Sequence, residues 1–263
     1  MKRNIRTIDN TGWIKNLFII DQDLYLVVNK EIFKIAIEQV IENLKNKADL
    51  SRYFLAYPFD FTNRDQNNIN LTECEFVTKL ESEIINVFKY NNQLIYTIYE
   101  NKQYLLINES QTLKVEAKIL NVINDQIIAL NQNEQVIVLN SDFQIVKTLN
   151  FKALEIIGFN DLYIVLNSDF QILKYDLNWQ LVETLVDSQE PKHIFYLNQN
   201  NVLISYRNQY KSTLFNINTF KEVDFVDFYI NIAVLVEQNT LLTKTFIQKN
   251  DIILETILLN VIS

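Results

Sequence analysis

The nonapeptide IVLNSDFQI stands at residues 137–145 and returns at 164–172, 27 residues later. In both copies apolar residues flank Asn-Ser-Asp, the makeup of a strand, a short turn and a second strand. Working outward, other matches recur at a different interval. Asn124-Asp125 followed by QIIAL is echoed 36 residues later by Asn160-Asp161 followed by LYIVL. LNSDFQIVKTL from Leu139 is echoed, also 36 later, by YDLNWQLVETL from Tyr175, which aligns Phe143 with Trp179, Val146 with Val182 and Thr148 with Thr184. Both intervals are multiples of nine, and about nine residues make one short strand plus its turn. The period is therefore four strands. The first copy of the nonapeptide joins the third and fourth strands of one unit, and the second copy joins the second and third strands of the next.

Weaker copies extend the series: LINESQTLKV from Leu106 upstream and FNINTFKEV from Phe215 downstream. The units run over 13–40 with a completion near 72–80, then 84–117, 118–151, 152–187, 192–227 and 228–259. Four short strands in about 35–45 residues is the spacing of a propeller blade. In period and turn placement the chain resembles the broad β-propeller class of WD-repeat, kelch and quinoprotein-like proteins. It lacks the Gly-His and Trp-Asp signature of the first and the glycine doublets of the second. The resemblance implies an all-β fold, a β-propeller of about six four-stranded blades, with 1–263 forming one domain. A β-sandwich or an irregular β-solenoid would show the same short strands and frequent turns.

One segment departs from the pattern. Ile37, Val40, Ile41, Leu44 and Ala48 follow helical spacing, which predicts a helical insertion over about 36–56. PFDFTNRDQNNIN, 58–70, has no periodicity and reads as a long exposed loop, so the whole insertion spans about 36–71.

With 2 Gly and 2 Pro against 34 Asn, asparagine must supply the turns, because its short amide bonds the local backbone and tolerates positive φ. The charge of −8 argues against nucleic acid, whose phosphates require a basic surface. Apolar runs are too short to span a bilayer, one cysteine forms no internal disulfide, and the first residues lack an apolar signal core. The expectation is a cytoplasmic protein without a membrane partner.

Catalytic parts are few. With one His and one Cys, a His/Cys metal cluster is excluded, and a Cys74–His193 pair would need two distant residues to meet. Cys74, in the strand-like ECEFV, reads as a small buried hydrophobe, and His193 as a blade-edge residue. Phosphate-cradling loops need glycines that this chain lacks. Gly12 and Gly158 fit a turn and close packing, and Asp21-Gln22-Asp23 fits a hairpin turn better than a calcium loop. No catalytic residue, cofactor or metal is expected.

Acidic residues gather at Asp60, Asp65, Glu73, Glu75, Glu81 and Glu83 around the insertion, and at Asp187, Glu190, Glu222, Asp224 and Asp227 further on. Tyr206, Arg207 and Tyr210 in SYRNQYKS are residue types that anchor interfaces. These residues are the expected contact for one specific, basic protein partner. The expected function is a non-catalytic binding module, monomeric when unbound, in particular a bacterial immunity protein neutralising a toxin domain. The alternatives are a scaffold or adaptor propeller, and a carboxylate-dependent hydrolase or lyase.

Overall fold

The computed structural model describes residues 2–6, 8–9, 14–28, 30–45, 55–56, 69–70, 74–91, 93–109, 114–186, 190–209, 211–226, 229–237, 240–249 and 252–261. In chain order the strands are β1 (Lys2–Arg6), β2 (Ile8–Asp9), β3 (Ile14–Ile20), β4 (Asp23–Val28) and β5 (Glu31–Ala36). Helix α1 (Ile37–Lys45) follows, then β6 (Leu55–Ala56), β7 (Ile69–Asn70) and β8 (Glu75–Lys79). Next come β9 (Glu83–Tyr90), β10 (Gln93–Glu100), β11 (Gln103–Asn108), β12 (Lys118–Ile123), β13 (Gln126–Leu130), β14 (Val136–Leu139) and β15 (Ile145–Thr148). The rest are β16 (Ala153–Phe159), β17 (Leu162–Asn167), β18 (Gln171–Asp176), β19 (Leu181–Val186), β20 (His193–Tyr196), β21 (Asn201–Tyr206), β22 (Lys211–Asn216), β23 (Lys221–Val226), β24 (Tyr229–Glu237), β25 (Thr240–Lys249) and β26 (Ile252–Val261).

The fold is an all-β propeller, a succession of small antiparallel sheets. Strands β12–β15, β16–β19 and β20–β23 each form a four-stranded meander, and β3-β4-β5-β8 forms another, with α1, β6 and β7 lying between its third and fourth strands in the chain. Strands β9–β11 make a three-stranded sheet, and Leu106 of β11 also bridges to Val115, while residues 110–113 lie outside the described residues. Among the described residues these are five meander blades, fewer than the expected number of about six. Apart from the two-stranded pairing of β2 with β7, the remaining sheet is built differently: its order is β1-β26-β25-β24, with β6 also pairing β26. Its strands β24–β26 are nine and ten residues long, while β1 has five residues and β6 two.

The helical insertion over 36–56 is corrected as well. Among the described residues nine are helical, with Val40 fully buried and Ile37 and Ile41 packed beside it against the β3–β5 core. Leu55 and Ala56 are extended and pair with Glu255 and Leu254. Of the expected loop over 58–70, Ile69 and Asn70 pair in parallel with Ile8 and Asp9, and the rest lies outside the described residues.

Packing divides the chain into two compact units, Met1–Thr78 with Phe195–Ser263, and Lys79–Ile194. In the second unit the inner strands β13 and β14 are buried on both faces. Ile119, Ile127, Ala129, Ile137 and Leu139 pack on Tyr90, Ile95 and Leu106 of the preceding sheet. Ile128, Val136 and Ile123 pack on Ile156, Tyr163, Val165 and Tyr175 of the following one. Because side chains alternate across a strand, burial on both faces makes the middle strands continuously apolar, as in VIVL of β14. In the first unit β24 and β25 serve two cores in the same way. Ile230 and Leu241 join Leu203 and Leu214, while Leu242 joins Leu17, Leu24 and Leu26.

The repeated nonapeptide does what its register predicts. Its first copy turns from β14 into β15, the third and fourth strands of a sheet, and its second from β17 into β18, the second and third. In both, the Asn carboxamide oxygen accepts from two backbone N–H groups: Asn140 from Asp142 (3.0 Å) and Gln144 (2.9 Å), Asn167 from Asp169 (3.0 Å) and Gln171 (2.8 Å). Asp176 and Asn131 hold their turns identically. The fourth turn residue takes positive φ, and it is Glu134, Phe143, Phe170 or Trp179 rather than glycine. The rings offset this strain by folding back: Trp179 stacks on Tyr163 with centroids 4.0 Å apart, and Phe143 meets Tyr90 edge-on.

Candidate interaction surface

In four of the sheets the first strand carries a bulge and, directly after it, a polar residue. These residues are Asn16 on β3, Asn86 on β9, Asn121 on β12 and Glu155 on β16. In the second unit each of the last three reaches the next first strand. Asn86 Nδ2 donates to the Ile119 carbonyl at 2.6 Å, and Asn121 Nδ2 to the Ile156 carbonyl at 2.9 Å. Glu155 reverses the polarity: Oε2 accepts from Ile194 N at 2.7 Å, and Oε1 pairs with His193 Nδ1. His193 thus opens β20, an edge strand of its sheet, and lies half-buried against a carboxylate. Lys118, at the start of β12, sits 5.4 Å from the Tyr104 ring centroid. Burial holds its ammonium below the ordinary lysine value, and the charge of Glu155 opposes that fall. These groups lock neighbouring first strands together.

The sequence-predicted contact residues fall apart into different settings. Asp60, Asp65, Glu73 and Tyr210 lie outside the described residues, as do Asp187 and Asp227. Glu75, exposed on β8, takes Lys34 Nζ at 3.3 Å, and Lys34 also reaches Asp23 at 3.5 Å. The hydrogen bond to Glu75 holds Lys34 above its ordinary value. Glu81 is exposed in the turn before β9, and Glu83 is half-buried at its start. Glu190, Glu222 and Asp224 are exposed. Tyr206 is a correction: it ends β21 with 1% exposure, a core side chain instead of a surface anchor. Arg207 starts a short 3₁₀ turn, Arg207–Gln209. Cys74 is half-buried against the β3–β5 core, in keeping with a hydrophobic role.

Sequence reasoning passed over the fourth strands. On β15, Ile145 and Val146 are 55% and 59% exposed, and on β19, Leu181 and Val182 are 54% and 58% exposed. On β23 of the other unit, Val223 and Phe225 are exposed too. Single exposed aliphatics are ordinary, but the same positions recur here from blade to blade. The β15 and β19 rows are neighbours, because Lys147 Nζ donates to the Asn178 carbonyl, at 2.7 Å, in the turn that leads into β19. The signal was in the sequence: Val146 and Val182 align in the 36-residue repeat, yet neither faces a core.

No family model matches the chain, and no curated protein resembles it in sequence. Its likeness is to solved propellers. One is the Cps50 (Swd1) β-propeller domain of Myceliophteria thermophila, 9% identical, with a TM-score of 0.61 over 97% of this chain and 85% of that one. Another is a chain of the mitotic checkpoint complex, 8% identical, with a TM-score of 0.55 over 97% and 82%. A third is a protein of unknown function from Bacteroides caccae, 11% identical, with a TM-score of 0.55 over 86% and 84%. At these identities the shared property is the β-propeller fold. Among the described residues no helix is long and apolar enough to cross a membrane.

Proposed function

We propose that this chain is a non-catalytic protein-binding propeller that engages its partner through the apolar rows on its fourth strands. The observation that carries the reading is the recurrence of exposed Ile145, Val146, Leu181 and Val182 at equivalent places on a rigid sheet scaffold. Solved neighbours in complexes, such as the mitotic checkpoint complex, are consistent with it. The test is capture with tagged full-length chain, comparing the unaltered protein with Val146→Glu/Val182→Glu. Loss of the stoichiometric partner from the double variant, with an unchanged melting temperature, is the expected result. Equal capture by both proteins overturns the reading.

A narrower form makes the partner a basic toxin domain and this chain its cytoplasmic immunity protein. Its support is the net charge of −8 together with the exposed carboxylates Glu75 and Glu81. It requires that the captured protein be toxic when expressed alone and harmless beside this chain.

A further inference from the structure

We propose that β15 and β19 form one self-complementary surface, through which two copies of this chain associate about a two-fold axis. The proposal rests on the reading of the outer rows as a protein-binding surface and names the partner. The two strands are one sequence written twice with a single change of sign: Ile145-Val146-Lys147-Thr148-Leu149 and Leu181-Val182-Glu183-Thr184-Leu185. Each is the last strand of its sheet, and Ile145–Thr148 and Leu181–Thr184 are exposed throughout. The Lys147 bond to Asn178 sets the rows side by side. Glu183 accepts from the nearly buried Lys174 through Oε2 while its side chain stays 49% exposed, so its charge still faces solvent.

A two-fold rotation that lays β15 on the second copy's β19 also lays β19 on the second copy's β15. The aliphatic rows then cover each other, and Lys147 meets Glu183 twice. Superposing β15 on β15 would instead oppose like charges, which is repulsive. A uniformly basic partner would leave Lys147 opposed by its own sign. The alternating charges therefore select a second copy of the chain, a departure from the monomer expected of the sequence.

The experiment is sedimentation of purified full-length protein over a range of concentrations, for the unaltered chain, Lys147→Glu, Glu183→Lys and the double exchange. The unaltered chain dimerises, each single reversal weakens the dimer about tenfold or more, and the double exchange restores it to within about threefold. Val146→Ser, which alters no charge, also weakens it, and thermal melts of every variant separate dissociation from misfolding. A chain that is monomeric at every concentration overturns the proposal, as does a dimer in which single and double exchanges behave alike. Neither result touches the broader reading, which is decided by the Val146→Glu/Val182→Glu capture.

Discussion

Asn167 closes its turn with three side-chain bonds, two accepted from backbone N–H groups and one donated from Nδ2 to Gln171 Oε1 at 3.0 Å, all while 8% exposed. Asn167→Ala leaves those groups unsatisfied and is expected to cost about 1–3 kcal/mol in urea unfolding, and the more exposed Asn140→Ala less. Gly158 is set by proximity: a Cβ there would lie 2.6 Å from Ile123 Cγ2. Gly158→Ala should therefore destabilise by about 1–3 kcal/mol, read as a lower melting temperature. Lys118 works in the opposite direction. Its folded value is lowered by burial, so the folded state holds fewer protons than the unfolded one at alkaline pH, and stability rises as pH climbs toward the ordinary lysine value. Lys118→Met is expected to melt higher than the unaltered chain at neutral pH, with the advantage shrinking by pH 10. The asparagine turns were legible in the sequence because their bonds are local. The positive φ of Phe143 and Trp179 was not, because what offsets it is a ring contact with a distant strand.

At the level of strands, the bulges on β3, β9, β12 and β16 decide where a polar side chain emerges. Asn86, Asn121 and Glu155 stand 35 and 34 residues apart, so the blade period shows in them as clearly as in the turns. Their role was hidden because an Asn in an Asn-rich chain carries no signal until its bulge and its acceptor are known. Asn121→Ala should lose about 1 kcal/mol by removing the bond to Ile156. At Glu155, Gln still offers an oxygen to Ile194 N, while Leu offers none. Glu155→Leu is therefore expected to destabilise more than Glu155→Gln in parallel chemical melts. The helical spacing was legible from Ile37 to Ile41, and Ala48 lies outside the described residues, but the expected end at 56 fails because pairing with β26 makes Leu55 and Ala56 extended.

For the whole molecule, the four-strand period marked out β12–β15, β16–β19 and β20–β23, where nothing interrupts the repeat. It overcounted the regular blades because the stretch 228–259 does not form a meander of its own: β24–β26 join β1 and β6 in one sheet. Charge was legible in amount but not in arrangement. If the acidic residues guide a basic partner, reversing Glu73, Glu75, Glu81 and Glu83 to Lys should slow association strongly without altering the melt, measured by stopped-flow or surface binding at low and high salt. Unchanged kinetics would exclude them as the contact.

The pairing of Lys2 with Val261 and Arg6 with Ile257 has a temporal meaning. The paired residues lie far apart along the sequence, since 261 − 2 = 259 and 257 − 6 = 251, and a contact of that separation forms slowly because the whole intervening stretch must first be brought together. Strands β12–β15 and β16–β19 pair with their sequence neighbours and need no such closure. In refolding followed by pulsed hydrogen exchange, the amides of β1 are therefore expected to gain protection after those of β13 and β17.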